Sequence, residues 1–296
     1  MSAADPDHPP RQPAEHLLGL VGAGIGPSLS PPLHEREAAE LGLRCRYRLW
    51  DLDELDRTPG EVLAAARAAG YGGLNVTHPC KQAVIAELDE LSPEAAALDA
   101  VNTVVFSAGR AIGHNTDWWG FARALQLRMP AAALDRVVLL GAGGAGAAVA
   151  YALLQLGAGQ VRVLDVDADR AVRLASALRE RFGDRIAHGS GPAEALTGAD
   201  GLVHATPTGM AAHPGLPLPA ELLRPDLWVA DIVYRPLETE LLRTARARGC
   251  AALGGANMVV FQAAAAFGLF TGLEPDVDRM LRHFDELARA EGGAHV

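Results

Sequence analysis

Short apolar runs that end in glycine or in a Ser-Pro turn alternate with longer stretches whose apolar positions recur every three or four residues. Strand-like and helix-like segments at this rhythm predict β-α-β units rather than chains of hairpins. HLLGLVG over 16–22 predicts a strand, and after a Ser-Pro-rich turn the segment 32–41 predicts a helix. CRYRLWDL over 45–52 predicts the next strand, and PGEVLAAARAAG over 59–70 a helix closed by glycine. GGLNVT over 72–77 supplies a third strand, with Pro79 early in a following helix that carries Lys81. SPEAAALDA over 92–100 opens on a serine cap, and NTVVF (102–106) with AIGHN (111–115) predicts a closing pair of strands.

A predicted helix over 116–129 leads out of this region, and the spacing then lengthens. RVVLLGAGGAGAAVAYALLQLGAGQVRVLDVD over 136–167 runs strand, glycine turn, helix, strand, which is a parallel crossover unit. Strand patterns at 201–206, 227–233 and 250–254 alternate with helices and extend the same sheet. ANMVVFQAAAAFGLF (256–270) and DVDRMLRHFDELARA (276–290) predict two amphipathic helices that pack back on the first region. The expected architecture is α/β with two α/β domains: residues 15–117 joined by 257–296, and a Rossmann-like domain over 118–256, with a disordered tail over 1–14.

Composition narrows the classes of function. With 49% hydrophobic and 21% charged residues the chain can bury sizeable cores, and a formal charge of −10 with pI near 5.4 excludes nucleic acid or an anionic membrane surface as the main partner. Any anionic ligand must be met by a local set of donors. Cys45, Cys80 and Cys250 are odd in number and widely spaced, so neither a disulfide framework nor a zinc site is expected, and the chain reads as cytoplasmic. The polar, proline-rich tail lacks the apolar core of a signal peptide, and no apolar run approaches a membrane span. Ten histidines include no HExxH spacing, and no serine lies in a G-x-S-x-G elbow, so neither metal-assisted nor serine hydrolysis is supported. Monomer and homodimer both remain open.

Candidate chemistry concentrates in a few places. Lys81 is the single lysine in a chain with 25 arginines, and unlike arginine it can give up and regain a proton; a solvated surface amine is the alternative. Gly141-Ala142-Gly143-Gly144-Ala145-Gly146 is a full G-x-G-x-x-G between a strand and an alanine-rich helix, suited to seat a pyrophosphate on the helix N-terminus. Asp165 ends the next strand, where a carboxylate can accept from ribose hydroxyls and repel a 2′-phosphate, unless it serves as a helix cap; this favours NAD, with Arg170 nearby leaving NADP possible. Asp117 would hold the Lys81 amine if the two meet, or would cap the helix that starts there. Ser28 and Ser30 could grip a carboxylate or form an ordinary Ser-Pro turn. Asn75, Thr77 and Asn102 at strand ends suit a small molecule rich in hydroxyls. Trp118 and Trp119 read as packing contacts.

SLSP at 28–31, NVTHPCK at 75–81, AVNT at 100–103, GHNTD at 113–117, GAGGAG at 141–146 and FQAA at 261–264 together resemble the shikimate dehydrogenase family, over residue 17 to the end. VYRPLETELL and FTGLEPDVDRM resemble its NAD-using quinate/shikimate branch. The resemblance implies interconversion of shikimate with 3-dehydroshikimate, or quinate with 3-dehydroquinate, in which Lys81 and Asp117 form the catalytic pair. It places Ser28, Ser30 and Tyr234 at the carboxylate of a small hydroxylated cyclic acid and Asn75, Thr77, Asn102 and Gln262 around its ring. It places Gly141, Ala142, Gly143, Gly144, Ala145, Asp165, Arg170, Thr206, Gly255 and Met258 at the dinucleotide. The chain departs from the family pattern twice: Cys80 stands where an aromatic residue is usual, and Asp165-Val166-Asp167 stands where NADP-using members carry Asn-Arg-Thr. An aminoshikimate or aminoquinate dehydrogenase, and a non-catalytic nucleotide-binding sensor on the same fold, are the alternatives.

Overall fold

The computed structural model of the protein describes residues 15–293; the tail expected over 1–14 lies outside them. β1 (Glu15–Gly22), α1 (Ser30–Glu40) and β2 (Arg44–Asp51) form a parallel unit whose register runs from Glu15 against Arg44 to Gly22 against Asp51. α2 (Pro59–Ala68) starts on a capping box made by Thr58 and Glu61, and β3 (Gly73–Val76) returns parallel to the other side of β1. Only a four-residue turn of helix, α3 (Cys80–Ala83), follows, with Pro79 just ahead of it. Then come β4 (Glu90–Leu91), α4 (Pro93–Leu98) capped by Ser92, and the antiparallel pair β5 (Thr103–Ser107) and β6 (Arg110–His114). The sheet order is β2-β1-β3-β5-β6-β4. β4 has no counterpart in the sequence pattern, because two residues paired to β6 carry no periodicity of their own.

α5 (Asp117–Arg128) crosses to a second sheet. Its units are β7 (Arg136–Leu140), α6 (Gly144–Gln155), β8 (Gln160–Leu164), α7 (Ala168–Phe182), β9 (Ile186–His188), α8 (Pro192–Ala195), β10 (Gly201–His204), β11 (Trp228–Asp231), α9 (Glu240–Ala247) and β12 (Ala251–Leu253). The order β12-β11-β10-β7-β8-β9 is parallel throughout, a doubly wound sheet. The expected strands at 201–206 and 227–233 stop at His204 and Asp231, and the residues beyond them form the loops at the carboxyl edge of the sheet.

α10 (Ala256–Thr271) and α11 (Val277–Gly293) return to the first sheet. α11 is amphipathic as expected, but α10 is not. Met258 and Phe261 of α10 join the core of α5 and α6, Val260, Ala263 and Ala264 pack with Leu29, Leu33 and Phe284, and Ala266 and Phe270 with Leu18 and Tyr47. A helix buried on several sides has no face to leave polar. α5 and α10 cross so closely that a Cβ on Gly120 would lie 2.8 Å from both Gln262 N and Met258 O.

Candidate active site

The strand ends of the first sheet and the start of α5 converge on Lys81. Its Nζ lies 2.5 Å from Asp117 Oδ2, with side chains 23% and 11% exposed, so the two residues meet across 36 positions of sequence in a half-buried setting. Asp117 is the first residue of α5 and makes no capping bond in place of its neighbour Thr116, so the reading of Asp117 as an ordinary cap falls away. Its Oδ1 accepts from Asn102 Nδ2 at 2.9 Å, and its own N–H donates to Asn115 Oδ1 at 3.1 Å. The carboxylate is thus fixed from behind and presents one oxygen to the amine. Cys80, next to Lys81 in the chain, is fully buried and packs with Val76 and Val84.

Behind this pair runs a hydrogen-bonded chain. Tyr47 Oη donates to Asn75 Oδ1 at 2.8 Å, Asn75 Nδ2 to Thr103 Oγ1 at 3.1 Å, and Thr103 Oγ1 to Asn102 Oδ1 at 3.0 Å. Burial pushes the Tyr47 phenol far up, so it stays protonated and a donor. Asn75 and Asn102 therefore have their amide hydrogens committed inside the protein; Asn102 Oδ1 is also filled, accepting from Thr103 Oγ1 and from Thr116 N–H at 2.7 Å, so of the two only Asn75 Oδ1 keeps a lone pair for a ligand. Thr116 Oγ1 reaches Gln262 Oε1 at 3.4 Å, which ties α10 to the same cluster. Tyr47, Thr103, Asn115 and Thr116 did not stand out in sequence: Tyr47 sits mid-strand like a core residue, while the others flank Asn102 and Asp117 closely enough to have been found.

Ser28 and Ser30 enter α1. Ser28 Oγ accepts from Ser30 N–H at 3.2 Å, so the local turn is real. Tyr234, 36% exposed in the loop after β11, lies with its ring 6.4 Å from that of Phe284, which packs with Leu29 between the two serines. Thr77 follows β3 and donates its N–H to Val21 O.

The glycine turn fits a dinucleotide. Gly141 has φ of +103°, and a Cβ there would lie 2.5 Å from Ala205 O; one on Gly146 would lie 2.0 Å from Gly141 O. By contrast, a Cβ on Gly143 or Gly144 meets nothing within 4 Å among the described residues, leaving an open approach to the first turn of α6 and its unpaired N–H groups. Asp165 Oδ2 accepts from Ala142 N–H at 2.7 Å and Oδ1 from Asp167 N–H at 2.9 Å, while Asp167 is the residue that caps α7, so Asp165 is not the cap. Arg170 Nε is drawn to Asp167 Oδ2 at 3.3 Å. Ala145 lies in the first turn of α6, Thr206 follows β10 beside Gly141, and Gly255 precedes α10 where a Cβ would lie 2.3 Å from Ile232 O. Met258 is 9% exposed within the α5–α6 core. Trp118 stacks edge-on with Tyr151 and Trp119 with Phe261, as packing contacts. Among the described residues no group of three His, Cys, Asp or Glu is placed to hold a metal, and no helix is long and apolar enough to cross a membrane.

A doubly wound sheet with a glycine turn suited to a dinucleotide, together with an amine–carboxylate pair on a second α/β unit, defines an NAD(P)-dependent dehydrogenase of two α/β domains. The Shikimate dehydrogenase substrate binding domain matches residues 20–104, and the Shikimate 5'-dehydrogenase C-terminal domain matches residues 255–283. The chain is 62% identical over 286 residues, 95% of it and 98% of the relative, to the shikimate dehydrogenase (NADP(+)) of Streptomyces avermitilis. It is 50% identical over 277 residues, 90% of it and 97% of the relative, to the quinate/shikimate dehydrogenase (NAD(+)) of Corynebacterium efficiens. Quinate dehydrogenase from Corynebacterium glutamicum in complex with NAD superposes with a TM-score of 0.89 at 46% identity, covering 92% of this chain and all of that one. The chain belongs to the shikimate dehydrogenase family.

Proposed function

We propose that the protein oxidises and reduces shikimate, quinate or both at a ring carbinol, with Lys81 and Asp117 as the acid–base pair. The observation that carries this reading is the contact between the chain's one lysine and a carboxylate held by Asn102 and Asn115. Lys81 takes the proton from the reacting hydroxyl in the oxidative direction and returns it to the carbonyl oxygen in reverse, while Asp117 keeps the amine aimed at that oxygen. The dinucleotide, when bound, supplies the hydride acceptor. Ser28, Ser30 and Tyr234 take the substrate carboxylate, and Asn75, Asn102, Thr77 and Gln262 surround the ring. With its amide hydrogens committed and one lone pair free, Asn75 is an acceptor for a ring hydroxyl, while Asn102 acts by holding Asp117.

In this reading residues 15–117 with 257–296 bind the substrate, and residues 118–256 bind the dinucleotide. NAD is preferred over NADP: the Asp165 carboxylate beside Ala142 favours ribose hydroxyls and repels a 2′-phosphate, and Arg170 is already paired with Asp167. The relatives carry both cofactor names, so the preference rests on these side chains. Steady-state kinetics with shikimate, quinate and their amino-substituted analogues, each with NAD and NADP, test it. Turnover of shikimate or quinate with higher kcat/KM for NAD is expected. Turnover of only the aminated acids would replace the substrate assignment, and dinucleotide binding without any turnover would replace the enzyme by a sensor.

A further inference from the structure

We propose that a buried His204–Asp231 pair fixes Thr206 as a hydrogen-bond acceptor for a donor on the nicotinamide riboside half of the cofactor, which makes His204 and Asp231 positioning residues for cofactor binding. This rests on the placement of the dinucleotide against the glycine turn given above.

His204 ends β10 and Asp231 ends β11, directly opposite each other in the parallel register, and both side chains are fully buried. His204 Nδ1 lies 2.9 Å from Asp231 Oδ1. The same oxygen accepts from Val233 N–H at 3.0 Å, and Asp231 Oδ2 accepts from Thr239 Oγ1 at 2.6 Å. Thr239 in turn caps α9 by accepting from Leu242 N–H, so its hydroxyl hydrogen is free to point at Asp231. The carboxylate thus stands among donors and acts as acceptor throughout, which puts a hydrogen on Nδ1 and, in the neutral imidazole, leaves Nε2 bare.

Nε2 lies 2.5 Å from Thr206 Oγ1, so the Thr206 hydroxyl must donate to it. Thr208 N–H donates to the same oxygen at 3.3 Å. With its hydrogen committed and one lone pair engaged, Thr206 Oγ1 has an acceptor lone pair left. Thr206 is half-buried at the carboxyl edge of the sheet, and its Cγ2 would lie 3.1 Å from a Cβ on Gly141, so the oxygen sits beside the glycine turn. A buried His–Asp pair contributes little stability that apolar side chains would not supply. Among the described residues that bond these two side chains, only Thr206 is not buried. The ligand chemistry that suits Thr206 Oγ1 is an N–H or O–H donor, from the carboxamide or from the adjoining ribose.

Two measurements test this. In the wild-type protein, nitrogen-15 NMR of the His204 ring reads the tautomer: a protonated Nδ1 with a bare Nε2 is expected, and a protonated Nε2 overturns the proposal. In kinetics with NAD, Thr206→Val and His204→Phe should each raise the cofactor KM about three- to tenfold, the range of one neutral hydrogen bond. The double variant should do no more than the worse single one, and Thr206→Ser should restore the wild-type value. Inhibition by ADP, which lacks the whole nicotinamide riboside, should be unchanged in all of them. A Thr206→Val penalty that disappears with 3-acetylpyridine adenine dinucleotide assigns the donor to the carboxamide, and one that persists assigns it to the ribose. Unchanged KM in Thr206→Val removes Thr206 from the cofactor site while leaving the dehydrogenase reading intact. Fully additive effects, or equal weakening of inhibition by ADP, show a merely structural pair and overturn the proposal.

Discussion

Asp165 is bonded to the glycine turn through one oxygen and to the turn before α7 through the other, and the two bonds set what a substitution there can change. Asp165→Asn keeps an amide oxygen able to accept from Ala142 N–H while removing the charge that disfavours a 2′-phosphate. The expected outcome is a rise of about tenfold in the ratio of kcat/KM for NADP to that for NAD, on the scale of one charge-assisted hydrogen bond. An unchanged ratio would separate cofactor choice from Asp165. At this scale much of the site was legible: Lys81 stood out as a lone amine, Asp165 by its distance from the glycines, and Asp117 by its place at a junction. Tyr47 did not, because a buried donor inside a strand looks like any half-apolar strand residue until its partner on another strand is known.

The helices and strands with their own period were legible, and those defined by neighbours were not. β4 and β9 are two and three residues long and exist through pairing with β6 and β8. α10 was recognised as a helix but not as a central one, since its alanines and glycine look neutral until packing on several sides uses them. That packing depends on small residues at the crossing with α5. Gly120→Ala would push a Cβ against the backbone of Gln262 and Met258, which cannot move aside as a side-chain tip can. A loss of about 1–3 kcal/mol in urea unfolding is expected. A raised substrate KM should accompany it, because Gln262 would shift from Thr116. Wild-type stability in Gly120→Ala would mean that α5 and α10 cross less tightly.

The whole molecule is held together by the return of the C-terminal helices, and one buried ion pair anchors that return. Arg279 at the start of α11 donates to both oxygens of Glu37 on α1, at 2.9 and 2.6 Å, and Glu37 is fully buried. Glu37 also accepts from Asp276 N–H at 2.8 Å. Arg279→Met leaves that carboxylate buried without its cation, and a loss of about 3–5 kcal/mol in urea unfolding is expected; an effect below about 1 kcal/mol would mean that α11 docks by its apolar face alone.

The α1 side of this core also carries an acid-sensitive group. Burial against Tyr47 and Phe267 pushes the His34 imidazole down to about 4 from its ordinary 6.5. The native state holds the neutral ring, so the unfolded chain takes up the proton first. The stability this gives is present above pH 6.5 and is lost as pH falls toward 4, by about 3 kcal/mol in all. His34→Phe should remove that part of the acid sensitivity. The gap between wild type and variant in unfolding free energy should therefore shift in favour of the variant across the window, and parallel curves would refute the assignment. The two-sheet plan was legible from the change in spacing after residue 116, but the bond between α1 and α11 was not, because nothing local links Glu37 to a residue 242 positions away.

The most direct test of the central claim is the turnover of Lys81→Ala with shikimate or quinate under saturating dinucleotide. A fall in kcat of about 10²–10⁴ is expected, the usual contribution of a positioned acid–base group, with substrate KM changed only a few-fold. A kcat within a few-fold of wild type would contradict it and take the proton transfer away from Lys81.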